Sequence, residues 1–319
     1  MRILLVKTSS LGDVVHNLPV VSDLHARFPE AAIDWVVEEG FVEIPRLHPA
    51  VSRVIPVALR RWRRSLLSPA TWNEIAAFRR LLRAEAYDLV LDTQGLIKSG
   101  LIVSATRLTR GGLRAGFAAE AAREPLAARF YDATFAIPKS AHAVERNRWL
   151  AATACGFASD RPLSYGIGAD PLARDWLPAA PYAVLLTASS RADKGWADWL
   201  ELATALSKLG LRSVLPAGTA LEREYAMRLA AKMQDAIIAP QLTIAELAGL
   251  CAGSRLVVGV DTGLTHLAAA LGVPTLALFS ATDPSLTGVH AEARVKNLGG
   301  IGRPASAQET IAAAKELLV

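Results

Sequence analysis

Short apolar runs rich in Val, Ile and Leu alternate with stretches of helical spacing along the whole chain. That alternation restricts the fold more than any other feature. In the first half the runs lie at 2–6, 33–37, 53–57, 88–92, 113–116 and 133–137, and in the second at 182–187, 212–216, 236–239, 256–260, 275–279 and 294–297. Strands this short, many apolar on both faces and separated by helices, are those of a parallel sheet covered on both sides. The clearest helical patterns span 72–86 and 96–106, and Ser306-Ala-Gln-Glu309 reads as a capping box opening a final helix to about Leu318. Two glycines and three prolines in 166–181 break the series. The expected architecture is therefore α/β. It has two Rossmann-like, doubly wound parallel-sheet domains facing a central cleft: 1–165, a linker at 166–181, 182–305, and a last helix at 306–319.

With 319 residues, 52% hydrophobic, the chain has room for two such cores. Its longest apolar stretch, 268–279, contains Gly272 and Pro274 and is too short to cross a membrane. Lys7 and Asp13 interrupt the apolar centre that a signal peptide needs, so the expected location is the cytoplasm. Cys155 and Cys251 have neither disulfide-framework nor zinc-ligand spacing. The net charge of +5 is uneven. Residues 1–165 hold 22 Lys and Arg against 16 Asp and Glu, whereas 166–319 hold 13 against 14. The first half should therefore meet an anionic partner or the anionic face of a membrane. No helix-turn-helix, zinc-finger or RNP-like pattern points to nucleic acid.

The chemistry-bearing residues fall at strand-to-helix junctions. After the first run comes Lys7-Thr-Ser-Ser10-Leu-Gly12-Asp13, a small-residue loop with a cation at one end and a carboxylate at the other. Asp13 can accept a proton there or cap the helix that follows. Pro19 would kink a helix beginning at Val14. After 256–260, Asp261-Thr262-Gly263 opens a helix containing His266, so the Thr262 and Gly263 amides form an anion site. Alternatively, Asp261 merely caps that helix. Ser189-Ser190-Arg-Ala-Asp-Lys194 supplies hydroxyls and a cation suited to phosphate, or else is a plain polar loop. Glu222 can bind a ribose or sugar diol, or simply favour a helix start. Arg60-Arg61-Trp62-Arg63-Arg64 is the densest charge run. On a helix its arginines would share one side opposite Trp62 and grip phosphates and carboxylates, or form a solvated basic face. Lys98 follows another strand-to-helix junction at Gly95-Leu-Ile-Lys-Ser99.

Four motifs in this order resemble those of glycosyltransferase family 9, the heptosyltransferases of lipopolysaccharide core synthesis. They are Lys7-Thr-Ser-Ser-Leu-Gly-Asp-Val-Val-His-Asn-Leu-Pro19, Asp92-Thr-Gln-Gly-Leu-Ile-Lys-Ser99, Ser189-Ser-Arg-Ala-Asp-Lys194 and Val260-Asp-Thr-Gly-Leu-Thr-His-Leu267. The first two favour the type I branch over type II. The resemblance implies a GT-B fold, an ADP-heptose donor held by the C-terminal domain and a Kdo2-lipid A acceptor held by the N-terminal one. It places donor contacts at Ser189, Ser190, Lys194, Glu222, Leu242, Asp261, Thr262, Gly263 and His266. Ser189 and Ser190 stand where threonines are common, and Leu242 where a Met is sometimes found. Asp13 is then the catalytic base. Lys7, Ser10, Gly12, Lys98 and the arginines at 60, 61, 63 and 64 are acceptor-side. Lys194, with Lys7 and the Thr262 and Gly263 amides, would offset charge on departing ADP. This arrangement requires no metal, although Asp261 leaves Mg²⁺ open. A type II acceptor, a nucleotide-sugar epimerase on the same architecture and a non-catalytic nucleotide-binding module are the alternatives. Peripheral contact with the cytoplasmic face of the inner membrane is expected.

Overall fold

The structure, a computed structural model, describes residues 1–188, 191–292 and 294–319. The chain divides into two compact units, Met1–Gly166 and Ile167–Val319.

In the first unit, β1 (Arg2–Val6), β2 (Ala32–Glu38), β3 (Val51–Val57), β4 (Ala86–Asp92), β5 (Arg107–Phe117) and β6 (Ala133–Phe135) form one parallel sheet in the order β3-β2-β1-β4-β5-β6. In the second, β7 (Tyr182–Leu186), β8 (Arg212–Leu215), β9 (Ile237–Ile238), β10 (Leu256–Val260), β11 (Thr275–Phe279) and β12 (Val295–Gly299) form another, in the order β12-β11-β10-β7-β8-β9. The two orders are the same winding. Each reverses once, between β1 and β4 in the first unit and between β7 and β10 in the second. Ligands of open α/β sheets bind at the carboxyl ends of the strands that flank such a reversal. β1, β7, β10 and β11 are buried on both faces or nearly so, which explains their unbroken apolar character.

Local chemistry explains where elements depart from the sequence reading. The helix expected at 72–86 runs Pro69–Leu82: Ser68 stands at its N-cap with Pro69 at the first turn, and β4 begins at Ala86. Pro19 kinks nothing, because the chain makes two helices, Leu11–Val15 and Leu18–Arg27, and Pro19 lies in the first turn of the second. β5 begins six residues before the apolar core expected at 113–116; Arg107, Thr109 and Arg110 make its first half polar, so an apolar pattern does not reveal it. Residues 167–181 form neither helix nor strand, but Leu172, Trp176 and Leu177 pack on the core of the second unit. The Leu172 amide donates to Gly249 O at 3.0 Å, and a Cβ on Gly249 would lie 2.9 Å from Asp170 O. The final helix, Ala307–Leu318, has its expected capping box, with the Glu309 amide donating to Ser306 Oγ and the Ser306 amide to Glu309 Oε2. Its Ala313, Ala314 and Leu317 join the core beneath β10 and β11. Among the described residues, no helix is long and apolar enough to cross a membrane.

Candidate functional site

In the first unit the reversal brings together the loops that follow β1 and β4. Gln94 joins them: its Oε1 accepts from the Thr8 and Ser9 amides at 2.9 and 3.2 Å, and its Nε2 donates to Ser9 O at 2.7 Å. Asp92 fixes Gln94 in turn, its Oδ1 accepting from the Gln94 and Gly95 amides and its Oδ2 from the Tyr131 hydroxyl. Burial pushes the Asp92 carboxyl up against those hydrogen bonds. Lys7 lies buried and donates from Nζ to Thr93 O at 2.7 Å. Burial pushes its ammonium below the ordinary lysine value; Asp13 and Asp92 oppose the shift, and Arg146 and Arg123 add to it. Lys98, also lowered by burial, donates to Ser9 Oγ at 3.1 Å.

Asp13 is not the N-cap of its helix. Ser10 holds that position, and Asp13 Oδ2 bonds back to the Ser10 amide and hydroxyl at 2.8 and 2.9 Å. Gly12 lies one residue before it in the same half-buried turn. Only one carboxylate oxygen is engaged, and Asp13 Oδ1 accepts no hydrogen bond among the described residues.

The arginine run makes a single helical turn, Leu59–Trp62, so Arg63 and Arg64 lie beyond it and the one-sided array expected of a helix does not form. Arg60 lies 5.3 Å from the Phe41 ring, and its amide donates to Glu38. Arg61 is held by Glu39 and Glu74, which also bind the buried Trp62 indole through Glu74. Arg63 and Arg64 are exposed.

In the second unit the reversal unites the loops after β7 and β10. Lys194 Nζ donates to Asp261 Oδ2 at 2.6 Å, as does Thr282 Oγ1, and His266 Nε2 lies 3.5 Å from Asp261 Oδ1. Burial alone would raise the Asp261 carboxyl, but the hydrogen bonds from His266, Lys194 and Thr282 hold it well below the usual carboxylate range. Asp261 therefore does not cap the helix Gly263–Ala270, whose N-cap is Thr262. In its first turn the Thr265 amide donates to Thr262 O at 3.1 Å. Thr265 Oγ1 donates to Val260 O at 2.7 Å, and it fits because residue 259 is glycine: a Cβ there would lie 2.2 Å from that hydroxyl. Glu222 closes a capping box, its Oε2 accepting from the Gly218 and Thr219 amides. Leu242 packs, half-buried, against the core beside β7 and β10. Ser189 and Ser190 lie outside the described residues. Asp261 Oδ2 already accepts from the Lys194 ammonium and the Thr282 hydroxyl. Among the described residues no group of three or more His, Cys, Asp or Glu could hold a metal ion.

The profile of "Glycosyltransferase family 9 (heptosyltransferase)" matches residues 75–315. The chain belongs to glycosyltransferase family 9. It is 47% identical to lipopolysaccharide heptosyltransferase 1 of Pseudomonas aeruginosa over 301 residues, which are 92% of this chain and 83% of that protein. Among solved structures it is similar to Escherichia coli heptosyltransferase WaaC with ADP, with a TM-score of 0.87 and 39% identity over 100% of this chain and 99% of that one. It is similar also to the same enzyme with ADP-2-deoxy-2-fluoro heptose, with a TM-score of 0.85 and 40% identity over the same shares. The two parallel-sheet units are accordingly those of a GT-B-like glycosyltransferase.

For this family 9 enzyme, sequence reasoning missed Gln94 as a clamp, Thr282 as an Asp261 partner, and the like charges of Arg146 and Arg123 that act on Lys7. Gln94 lies in Asp92-Thr-Gln-Gly-Leu-Ile-Lys-Ser99, where spacing alone gives it no role. Thr282 follows β11, and only the pairing of β11 with β10 brings it to Asp261. Arg146 comes from the helix Ala143–Cys155, where its guanidinium lies 4.9 Å from the Phe117 ring and donates to Ala121 O. No local spacing foreshadows that position.

Proposed function

We propose that this family 9 enzyme transfers L-glycero-D-manno-heptose from ADP-heptose to the Kdo of Kdo2-lipid A, with inversion at the anomeric carbon, in lipopolysaccharide inner-core synthesis. The reading is carried by likeness over the full chain to a heptosyltransferase structure that holds an ADP-heptose analogue. In this reading the first unit binds the acceptor and the second the nucleotide sugar.

An acceptor hydroxyl attacks the anomeric carbon. The new C–O bond forms as the bond to the diphosphate oxygen breaks, the proton passes to Asp13, and the negative charge leaves with ADP. Asp13 receives the proton on Oδ1, since Oδ2 is taken by Ser10. One carboxylate is enough for a single displacement. Lys194, aimed by Asp261, and the Thr262 and Gly263 amides meet the charge growing on the diphosphate. Hydroxyls of Ser189 and Ser190 add to that anion site. Glu222, through its second oxygen, binds a diol of the donor, and Leu242 packs against the adenine. His266 holds Asp261 in place. Ser10, Gly12, Lys98 and the arginines at 60, 63 and 64 serve the acid groups of the acceptor, with Lys7 buried against Thr93 O and Arg61 tied to Glu39 and Glu74 supporting them from behind. No step is routed through a metal. The enzyme works at the cytoplasmic face of the inner membrane.

Purified protein given ADP-heptose should release ADP with Kdo2-lipid A and add one heptose to its mass. It should do neither with an acceptor that already carries that heptose. Equal turnover on both would assign it a type II acceptor, and donor consumption without any acceptor would make it an epimerase.

A further inference from the structure

We infer that the turn at Leu66 and Leu67, with Trp72 beside it, is a docking surface for an anionic lipid bilayer. Leu67 is 100% exposed, Leu66 49% and Trp72 58%, within seven residues of chain. These side chains are held out by a braced turn. The Trp72 indole donates to Leu66 O at 2.9 Å, Ser65 Oγ meets Thr71 Oγ1 at 2.9 Å, and the Ser68 amide donates to Ser65 O. The buried Trp62 indole anchors the base of the turn to Glu74.

The charges around the turn point to lipid as the occupant. Glu39 and Glu74 are both spent on Arg61. No carboxylate among the described residues pairs with the exposed Arg63 and Arg64. Leucines that reach the acyl boundary, an indole at headgroup depth and arginines against anionic headgroups are the elements of interfacial binding. The choice of a bilayer over another partner rests on the lipid-borne acceptor proposed above.

The test is co-sedimentation of full-length protein, without donor or acceptor, on vesicles of phosphatidylglycerol and phosphatidylethanolamine. The wild type should bind these vesicles, more weakly in high salt, and bind phosphatidylcholine vesicles at least tenfold more weakly. Leu66→Ser/Leu67→Ser should lose at least tenfold in vesicle affinity, yet keep wild-type turnover on a Kdo acceptor stripped of its acyl chains. Arg63→Ser/Arg64→Ser should lose the salt dependence. Vesicle binding by Leu66→Ser/Leu67→Ser equal to wild type overturns the inference. So does a wild-type dimer that this variant converts to monomer without vesicle binding, since the patch would then belong to a second copy. If the acceptor assignment fails, the wild type will not turn over on Kdo acceptors, whereas the vesicle result is read without any substrate.

Discussion

Asp261 shows how much one carboxylate can organise. Three donors converge on it, and together they overcome the burial that would otherwise raise its carboxyl. It stays ionised at any pH near neutrality and keeps Lys194 pointed at the strand end where the diphosphate is proposed to sit. Asp261→Ala should release Lys194 and weaken ADP binding by about ten- to a hundredfold, or roughly 1.4–2.8 kcal/mol, measured by titration calorimetry. Unchanged ADP affinity would show that Lys194 does not depend on it. At this scale the sequence was informative about residue identity and less so about roles. Asp261, Lys194 and Asp13 stood out as acids and cations at strand ends. Which oxygen of Asp13 stays open, and that Glu222 spends one oxygen on a capping box, depend on backbone geometry that spacing does not encode.

The strands were legible because burial on both faces leaves an unbroken apolar run, and every expected strand is present, with ends shifted by a few residues. What joins them was not legible. The front loop is shaped by Gln94, which is 86 residues from Thr8 in sequence and reaches it only because β1 and β4 are neighbours. In the proposed reaction Gln94 would act on Asp13 through the backbone of residues 8–10, as a positioning residue. Gln94→Ala should lower kcat about tenfold or more while leaving the donor KM and ADP affinity unchanged. It should also speed amide exchange at Thr8 and Ser9. Gln94→Glu keeps the acceptor oxygen and loses the donor to Ser9 O, so its kcat should fall between the two. A matching rise in donor KM would mean that the substitution disturbs more than the front loop. The single turn at 59–62 was equally hidden, because its fold depends on Glu38 and Glu39 from one segment and Glu74 from another.

At the scale of the molecule, the repeated winding puts one reversal in each unit and one set of chemical residues at each reversal. The sequence anticipated two such sheets, and it places the positive excess, +6, in the first half. It did not anticipate how the chain leaves the first unit. Gly166, at a φ of +64°, passes over a Ser22–His48 pair so closely that a Cβ would lie 2.3 Å from His48 Nε2. Burial, aided by His25, pushes the His48 imidazole down to about 4 from an ordinary 6.5. It is therefore neutral when folded, with Nδ1 accepting from the Ala50 amide and Nε2 bonded to Ser22 Oγ at 3.0 Å. The unfolded chain takes up that proton near 6.5 and the folded one only near 4, so stability should fall as pH drops between them. Denaturant titrations across that range should show the slope, and His48→Gln should flatten it; an unchanged slope would place the effect elsewhere. In the proposed reaction Asp13 takes the acceptor's proton. This step is tested most directly by Asp13→Ala in the ADP-release assay with Kdo2-lipid A, with ADP-heptose affinity measured alongside. Asp13→Ala should lose about 10²- to 10⁴-fold in kcat with donor affinity unchanged; full turnover by this variant would assign the base to another group.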